Sequence, residues 1–213
     1  MKKKTIIITM LFFCLIYTSL ADNKNMLLND KTIIIDAGHG GKDVGTSFKD
    51  IYEKDINLKI SLELKNQLEK KGASVYLTRS GDYDLSKPNA KRRKKSDFDN
   101  RILLINNSKS DLYISIHLNY FNDSKYKGAQ VFYNNLLKEN KEIAKIMQKN
   151  LNKERKIKLL DSKLYMYNKL TKPGILIECG FLSNYQDRKN LQNEKYIIEL
   201  CKKITKAIIE FYT

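Results

Sequence analysis

The chain has 213 residues, with 40 Lys and Arg against 24 Asp and Glu, a formal net charge of +16 and a hydrophobic fraction of 42%. That length fits one domain, and the apolar share, with only two Pro and nine Gly, excludes a disordered tail or a low-complexity linker. The positive charge gathers at Lys87 to Lys95, with six basic residues, and at Lys138 to Lys163, with nine basic against four acidic, which fits either an acidic partner or a plain solvated surface.

Lys2, Lys3 and Lys4 precede an apolar run from Thr5 to Tyr17, and Ser19 and Ala21 follow it. This is the layout of a secretory signal, residues 1–21, with cleavage expected after Ala21. The run is short for a membrane span, so membrane attachment is expected only through an uncleaved signal. A secreted chain also makes nucleic acid an unexpected partner. Beyond the signal, apolar runs suited to buried strands alternate with stretches of helical period. The strand candidates are Thr32 to Asp36, Ser74 to Thr78, Leu112 to His117, Ala129 to Tyr133 and Gly174 to Glu178, with Leu164 to Tyr167 a weaker one. Between them, Ile56, Ile60, Leu64 and Leu68 recur every four residues. Phe98 to Asn107 follows Asp97 as a helix cap, and Lys138 to Leu151 and Glu194 to Phe211 are amphipathic. Ser80 to Ser96 is the one long loop. The pattern predicts a single α/β domain, a twisted, mostly parallel or mixed sheet with helices on both faces. Cys179 falls in a strand-like run and Cys201 in a helical one, which predicts two buried thiols rather than a bridge.

The only two histidines each stand where an apolar strand ends, His39 in DAGHGG and His117 in SIHLN. At the carboxyl ends of strands in α/β folds an imidazole faces the ligand crevice, as a metal ligand or a general base, although a single such histidine can also be structural. Gly38, Gly40 and Gly41 do not form a phosphate loop, because Asp36 and Asp43 stand where its glycine and hydroxyl would be required. They instead permit a tight turn and close backbone approach beside His39. Glu178 closes the apolar run of Ile175, Leu176 and Ile177, where a carboxylate is costly to desolvate unless paired, metal-bound or catalytic. Glu53 opens a helical stretch, and its charge there is also explained by the helix dipole alone. No HExxH is present, so any metal would be held by distant segments.

DAGHGG, then EKDIN from Glu53 to Asn57, SIHLN around His117 and ECGFLSN from Glu178 to Asn184 resemble, in order and spacing, the zinc-dependent N-acetylmuramoyl-L-alanine amidases of the amidase-3 type. The likeness runs from about Lys31 to Tyr212, so residues 31–213 are expected to form the catalytic domain; Ile105 departs from the family's usual Ala. The resemblance implies a zinc ion held by His39, Glu53 and His117, with Glu178 as the catalytic carboxylate, acting on peptidoglycan. Two imidazoles and one carboxylate leave an open fourth position, as catalytic zinc requires. Asn57, Asn119 and Arg101 are candidate substrate-binding residues. Asn57 and Asn119 could equally orient a ligand, and Arg101 and Asn184 could serve a salt bridge and a turn. Tyr165 is a candidate to flank the groove.

Larger members carry wall-binding repeats or a helix that plugs the site, and the 60 residues between His117 and Glu178 leave little room for a plug. The single-domain plan is most similar to the sporulation amidases of spore cortex maturation. That likeness implies secretion to the cell envelope or spore cortex region and dependence on an activating or localising envelope protein. The alternatives are a catalytically weak peptidoglycan-binding protein that needs a partner, or a secreted metallopeptidase acting on the peptide stem.

Overall fold

The computed structural model describes residues 26–213, so the expected signal lies outside the described residues. The strands are β1 (Thr32–Ala37), β2 (Ser47–Phe48), β3 (Ile51–Tyr52), β4 (Ser74–Leu77), β5 (Leu112–Asn119), β6 (Gln130–Tyr133), β7 (Lys158–Leu159) and β8 (Gly174–Phe181). The helices are α1 (Glu53–Glu69), α2 (Arg93–Asn107), α3 (Lys138–Leu151), α4 (Tyr185–Leu191) and α5 (Glu194–Tyr212). Six strands form one mixed sheet in the order β4-β1-β5-β8-β6-β7. β4, β1, β5 and β8 run parallel, β6 is antiparallel to β8, and β7 is parallel to β6. β2 and β3 make a separate small hairpin.

The continuous apolar runs of the central strands follow from burial on both faces. Ile33 and Ile35 of β1 pack with Ile56, Ile60, Leu64 and Leu68 of α1 and Ile204 and Ile208 of α5, while Ile34 joins Ile102 and Ile105 of α2, Tyr113 and Leu176 on the other side. α1, α3 and α5 therefore cover one face, and α2 with the segment around Tyr167 covers the other. Cys179 and Cys201 are both buried free thiols on the first face.

Two sequence expectations need correction. Leu164 to Tyr167 is not a strand: the chain turns there into a short 3-10 helix at Tyr167–Lys169, and the strand of this region is the exposed pair Lys158–Leu159. Met166 and Tyr167 are both buried, which adjacent residues on a helical turn can achieve and the alternating faces of a strand do not favour. Nor does Asp97 cap a helix. α2 starts about one turn earlier, at Arg93, inside the expected loop. Arg93, Lys94 and Lys95 lie in its first turn, where positive charge opposes the helix dipole, so the usual start signal is missing.

Asp97 is instead buried within α2, where it anchors Arg101. Arg101 donates from Nε to Asp97 Oδ2 at 2.9 Å, from Nη1 to Asp36 Oδ1 at 2.6 Å and to the Ala37 carbonyl at 2.8 Å, and from Nη2 to the His39 carbonyl at 2.7 Å. At 1% exposure, with its guanidinium directed inward, Arg101 is not a substrate contact but the tie between α2 and the end of β1. Burial works against the Asp36 carboxylate, but Arg101 and the hydrogen bond from Ser115 hold its pKa below the usual value. Arg101→Ala would leave Asp36 as an unpaired buried charge. The expected loss is about 3–5 kcal/mol of unfolding free energy, read from the urea midpoint against wild type.

Candidate active site

β1 ends in a turn that carries His39 over the sheet. Gly38 donates its N–H to the Ile116 carbonyl at 3.0 Å, and a Cβ at Gly38 would lie 2.3 Å from Cε1 of the His117 ring, so only glycine lets the two strand ends meet here. His39 itself has a φ of 61°, a left-handed conformation uncommon outside glycine, although His adopts it more readily than most side chains. Two buried guanidiniums hold the turn by its carbonyls. Arg101 takes that of His39, and Arg79 donates from Nε to Ala37 at 2.9 Å and from Nη2 to Gly38 at 2.9 Å and Lys54 at 2.7 Å. Arg79, just after β4, was not singled out in the sequence, because nothing local distinguishes it from the many other basic residues.

Glu53 opens α1 and is 1% exposed. Its Oε2 accepts from the Thr46 N–H at 2.7 Å, and its Oε1 from the Leu118 N–H at 3.0 Å and from Asn57 Nδ2 at 3.4 Å. The same Oε1 lies 3.3 Å from His39 Nε2 and 3.0 Å from His117 Nδ1. One donor atom from each of His39, Glu53 and His117 thus falls within 4.8 Å of the others, a group that could hold a metal ion. Gly45 makes the room: its φ is +69°, and a Cβ there would lie 2.5 Å from Glu53 Oε2 and 2.7 Å from the His39 ring. On its other side, His39 Nδ1 lies 3.0 Å from Asp43 Oδ2, an ion-pair distance without hydrogen-bond alignment.

Electrostatically the cluster sets one ionised carboxylate against two imidazoles. Burial disfavours a charged His39, yet Asp43 and Glu53 raise its pKa to about 9. Burial likewise opposes the Glu53 carboxylate, but His117 and His39 hold it far below the usual range. Two imidazoles gathered on one ionised, buried carboxylate are a donor set suited to a divalent metal such as zinc.

Glu178 is the register partner of His117 across the parallel pair β5 and β8. The residue is partly exposed, but its Oε2 is buried with no hydrogen-bond partner. Burial first, and the negative charge of Glu53 second, push its pKa up to about 8, with His39 opposing. It is a carboxyl group able to carry or release a proton near neutrality.

The remaining candidates separate. Asn57 is fully buried and donates to Glu53 and, at 3.2 Å, to the Gly38 carbonyl, so it orients a metal-ligand candidate and its turn rather than meeting substrate. Asn119 is half-buried at the end of β5, where the register with β8 shifts, and its Oδ1 accepts from the Tyr120 N–H at 2.8 Å. Asn184 caps α4, accepting from the Asp187 N–H at 3.0 Å, which is the turn role. Tyr165 points to Asp99 on α2, with its hydroxyl 2.6 Å from Oδ1. The tyrosine that reaches the cluster is Tyr167, whose hydroxyl is 3.2 Å from His117 Nε2. Two residues apart in sequence, the two tyrosines are told apart only by the 3-10 turn.

Known proteins resemble this chain in both sequence and fold. The family profile of N-acetylmuramoyl-L-alanine amidase matches residues 33–210. The chain is 40% identical, over 87% of its length and 81% of the relative's, to the germination-specific N-acetylmuramoyl-L-alanine amidase of Bacillus subtilis. Among solved structures, it is similar to the CwlD amidase of Clostridioides difficile in complex with the GerS lipoprotein, with a TM-score of 0.81 and 38% identity, covering 86% of this chain and 98% of that one. An N-acetylmuramoyl-L-alanine amidase of Clostridium difficile 630 gives a TM-score of 0.75 and 33% identity, covering 86% and 97%. On a match that spans nearly all of the described residues, the chain belongs to the N-acetylmuramoyl-L-alanine amidase family.

Proposed function

We propose that this chain is a zinc hydrolase that cuts the amide between the lactyl group of N-acetylmuramic acid and L-alanine in peptidoglycan. In this reading His39, Glu53 and His117 are the metal ligands and Glu178 is the catalytic carboxylate. The observation that carries it is the gathering of the three donor atoms within 4.8 Å, with Glu178 on the strand beside His117. A zinc ion held by His39, Glu53 and His117 would supply Lewis acidity toward the scissile carbonyl and a water. Glu178 takes the proton of the attacking water and hands it to the departing alanine nitrogen, which leaves poorly without it. Its raised pKa suits the second half of that task, and a neighbouring cation favours the ionised form needed for the first. Asn57 and the Thr46 and Leu118 N–H groups fix the Glu53 carboxylate.

Residues 31–213 form the catalytic domain in this proposal. Residues 1–21 direct the chain out of the cytoplasm, to the cell envelope or spore cortex region. The likeness to a germination-specific amidase supports a place in spore cortex maturation, where freeing the lactyl group prepares muramic acid for lactam formation. The complex of the similar C. difficile amidase with a lipoprotein supports an envelope protein as activating or localising partner.

Purified protein of measured metal content, incubated with muropeptides, is expected to release the intact peptide stem with a free alanine amine, identified by mass spectrometry. Glu178→Gln should lower the rate by about 10² to 10⁴ while zinc stays bound. Loss of residues from within the stem would instead identify a peptidase, and zinc-loaded wild type that cuts only after a partner is added would assign activation to that partner. Zinc supplied at about a hundred times its dissociation constant should stabilise the wild type by about 2.7 kcal/mol in a thermal or urea titration. His117→Ala should lose most of that gain.

A further inference from the structure

Behind His117, on the side away from Glu53, runs a line of buried polar groups. Asp36, 1% exposed, has Oδ1 occupied by Arg101 Nη1 at 2.6 Å and Thr78 Oγ1 at 2.9 Å. Its other oxygen, Oδ2, accepts from Ser115 Oγ at 2.7 Å. Ser115 Oγ is 3.0 Å from the Tyr167 hydroxyl, which is 3.2 Å from His117 Nε2. Ser115 is fully buried and Tyr167 is 7% exposed, so water hardly competes for these bonds.

Counting protons gives this line a direction. A carboxylate only accepts, and each hydroxyl has one proton to give. The Ser115 proton goes to Asp36, which is ionised beside Arg101, so Ser115 can only accept from Tyr167. The Tyr167 proton is then committed, and its oxygen can only accept from His117. The ring nitrogen that must carry hydrogen on this side is Nε2; the other, Nδ1, lies 3.0 Å from the ionised Glu53 Oε1 in the candidate metal cluster, where it shares a hydrogen with that carboxylate until a metal ion takes the hydrogen's place.

We propose that Asp36, Ser115 and Tyr167 form a one-way hydrogen-bond chain that holds the proton of His117 on Nε2 and so leaves Nδ1 as the nitrogen open to a metal. The proposal rests on the metal-site reading above and adds three positioning residues to it. It also accounts for a difference between the two imidazoles. His39 has a carboxylate, Asp43, directly at its outer nitrogen, whereas His117 reaches its carboxylate through two hydroxyls. Such outer partners orient a metal-bound imidazole and raise its basicity.

The test uses the mature protein with Tyr167→Phe, which removes one oxygen and keeps the ring, with Ser115→Ala, and with the double substitution, each checked for folding by thermal unfolding. Two quantities are read: the zinc dissociation constant by competition with a chelator, and the His117 Nε2–H signal in the zinc-loaded, ¹⁵N-histidine-labelled protein by NMR. In the wild type that proton is expected to exchange slowly with solvent. Tyr167→Phe should lose the protection and weaken zinc binding by about 10- to 100-fold. Ser115→Ala should weaken it less, and the double variant should be no worse than Tyr167→Phe alone, because both break the same line. Unchanged affinity with a protected Nε2–H in Tyr167→Phe would overturn the proposal, and so would losses that add in the double variant. If Tyr167→Phe does not fold, wild-type affinity in Ser115→Ala overturns it equally. A wild type that binds no zinc would sink the metal reading itself, and the chain's proposed role with it.

Discussion

Everything at the active end of this sheet leans on one buried ion pair, Arg101 with Asp36. Removing two charges from water is unfavourable unless their remaining hydrogen-bonding capacity is also met, and here it is. Arg101 has two carboxylates and two carbonyl oxygens around it, and Asp36 receives Arg101, Thr78 and Ser115. The pair does more than join a helix to a strand. By gripping the carbonyls of Ala37 and His39 it fixes the turn in which His39 takes its left-handed conformation, so an unfavourable φ is paid for by electrostatics below the turn rather than by the turn itself. Arg79 adds its own grip on the carbonyls of Ala37 and Gly38.

Above that base, two carboxylates of the same chemical type are driven apart by their surroundings. Glu53 stands among N–H donors and two imidazoles and is kept ionised; Glu178 has an oxygen buried without a partner and faces the negative charge of Glu53, which keeps its proton on more readily. In the proposed reading the site both holds a cation and moves a proton, which needs that division, and the division follows from placement alone. Period-two alternation supplies the placement. Asp36 follows Ile34, His117 follows Ser115, and Glu178 follows Leu176 on the α2 side of the sheet, while Ile35, Ile116 and Ile177 turn to the other core.

Much of this could be read from the chain itself. His39, His117 and Glu178 are polar residues at the ends of otherwise apolar runs, and such exceptions are visible in one dimension. Glu53 was harder, since a glutamate at a helix start has an ordinary explanation, and only its place beside the glycine turn and the two imidazoles proposes a second role. What stayed hidden depends on contacts across the fold. Tyr167 lies 50 residues from His117 in sequence and in a segment whose pattern suggested a strand. Asp36 and Ser115 read as ordinary members of their strands, and Arg79 was lost among the many basic residues. The start of α2 was obscured because Arg93 to Lys95 place the wrong charge sign for a helix beginning, a choice offset by Arg93 pairing with Asp84.

The two ends of the sheet bear on how the protein tolerates its own company. A sheet edge offers unpaired N–H and C=O groups to any extended chain that meets it. On one side the last strand, β7, is only two residues long and presents the charged Lys158; on the other, β4 spans four residues. Neither edge gives a second molecule enough length to extend the ladder, so crowding among copies should not readily turn the sheet into a template for aggregation.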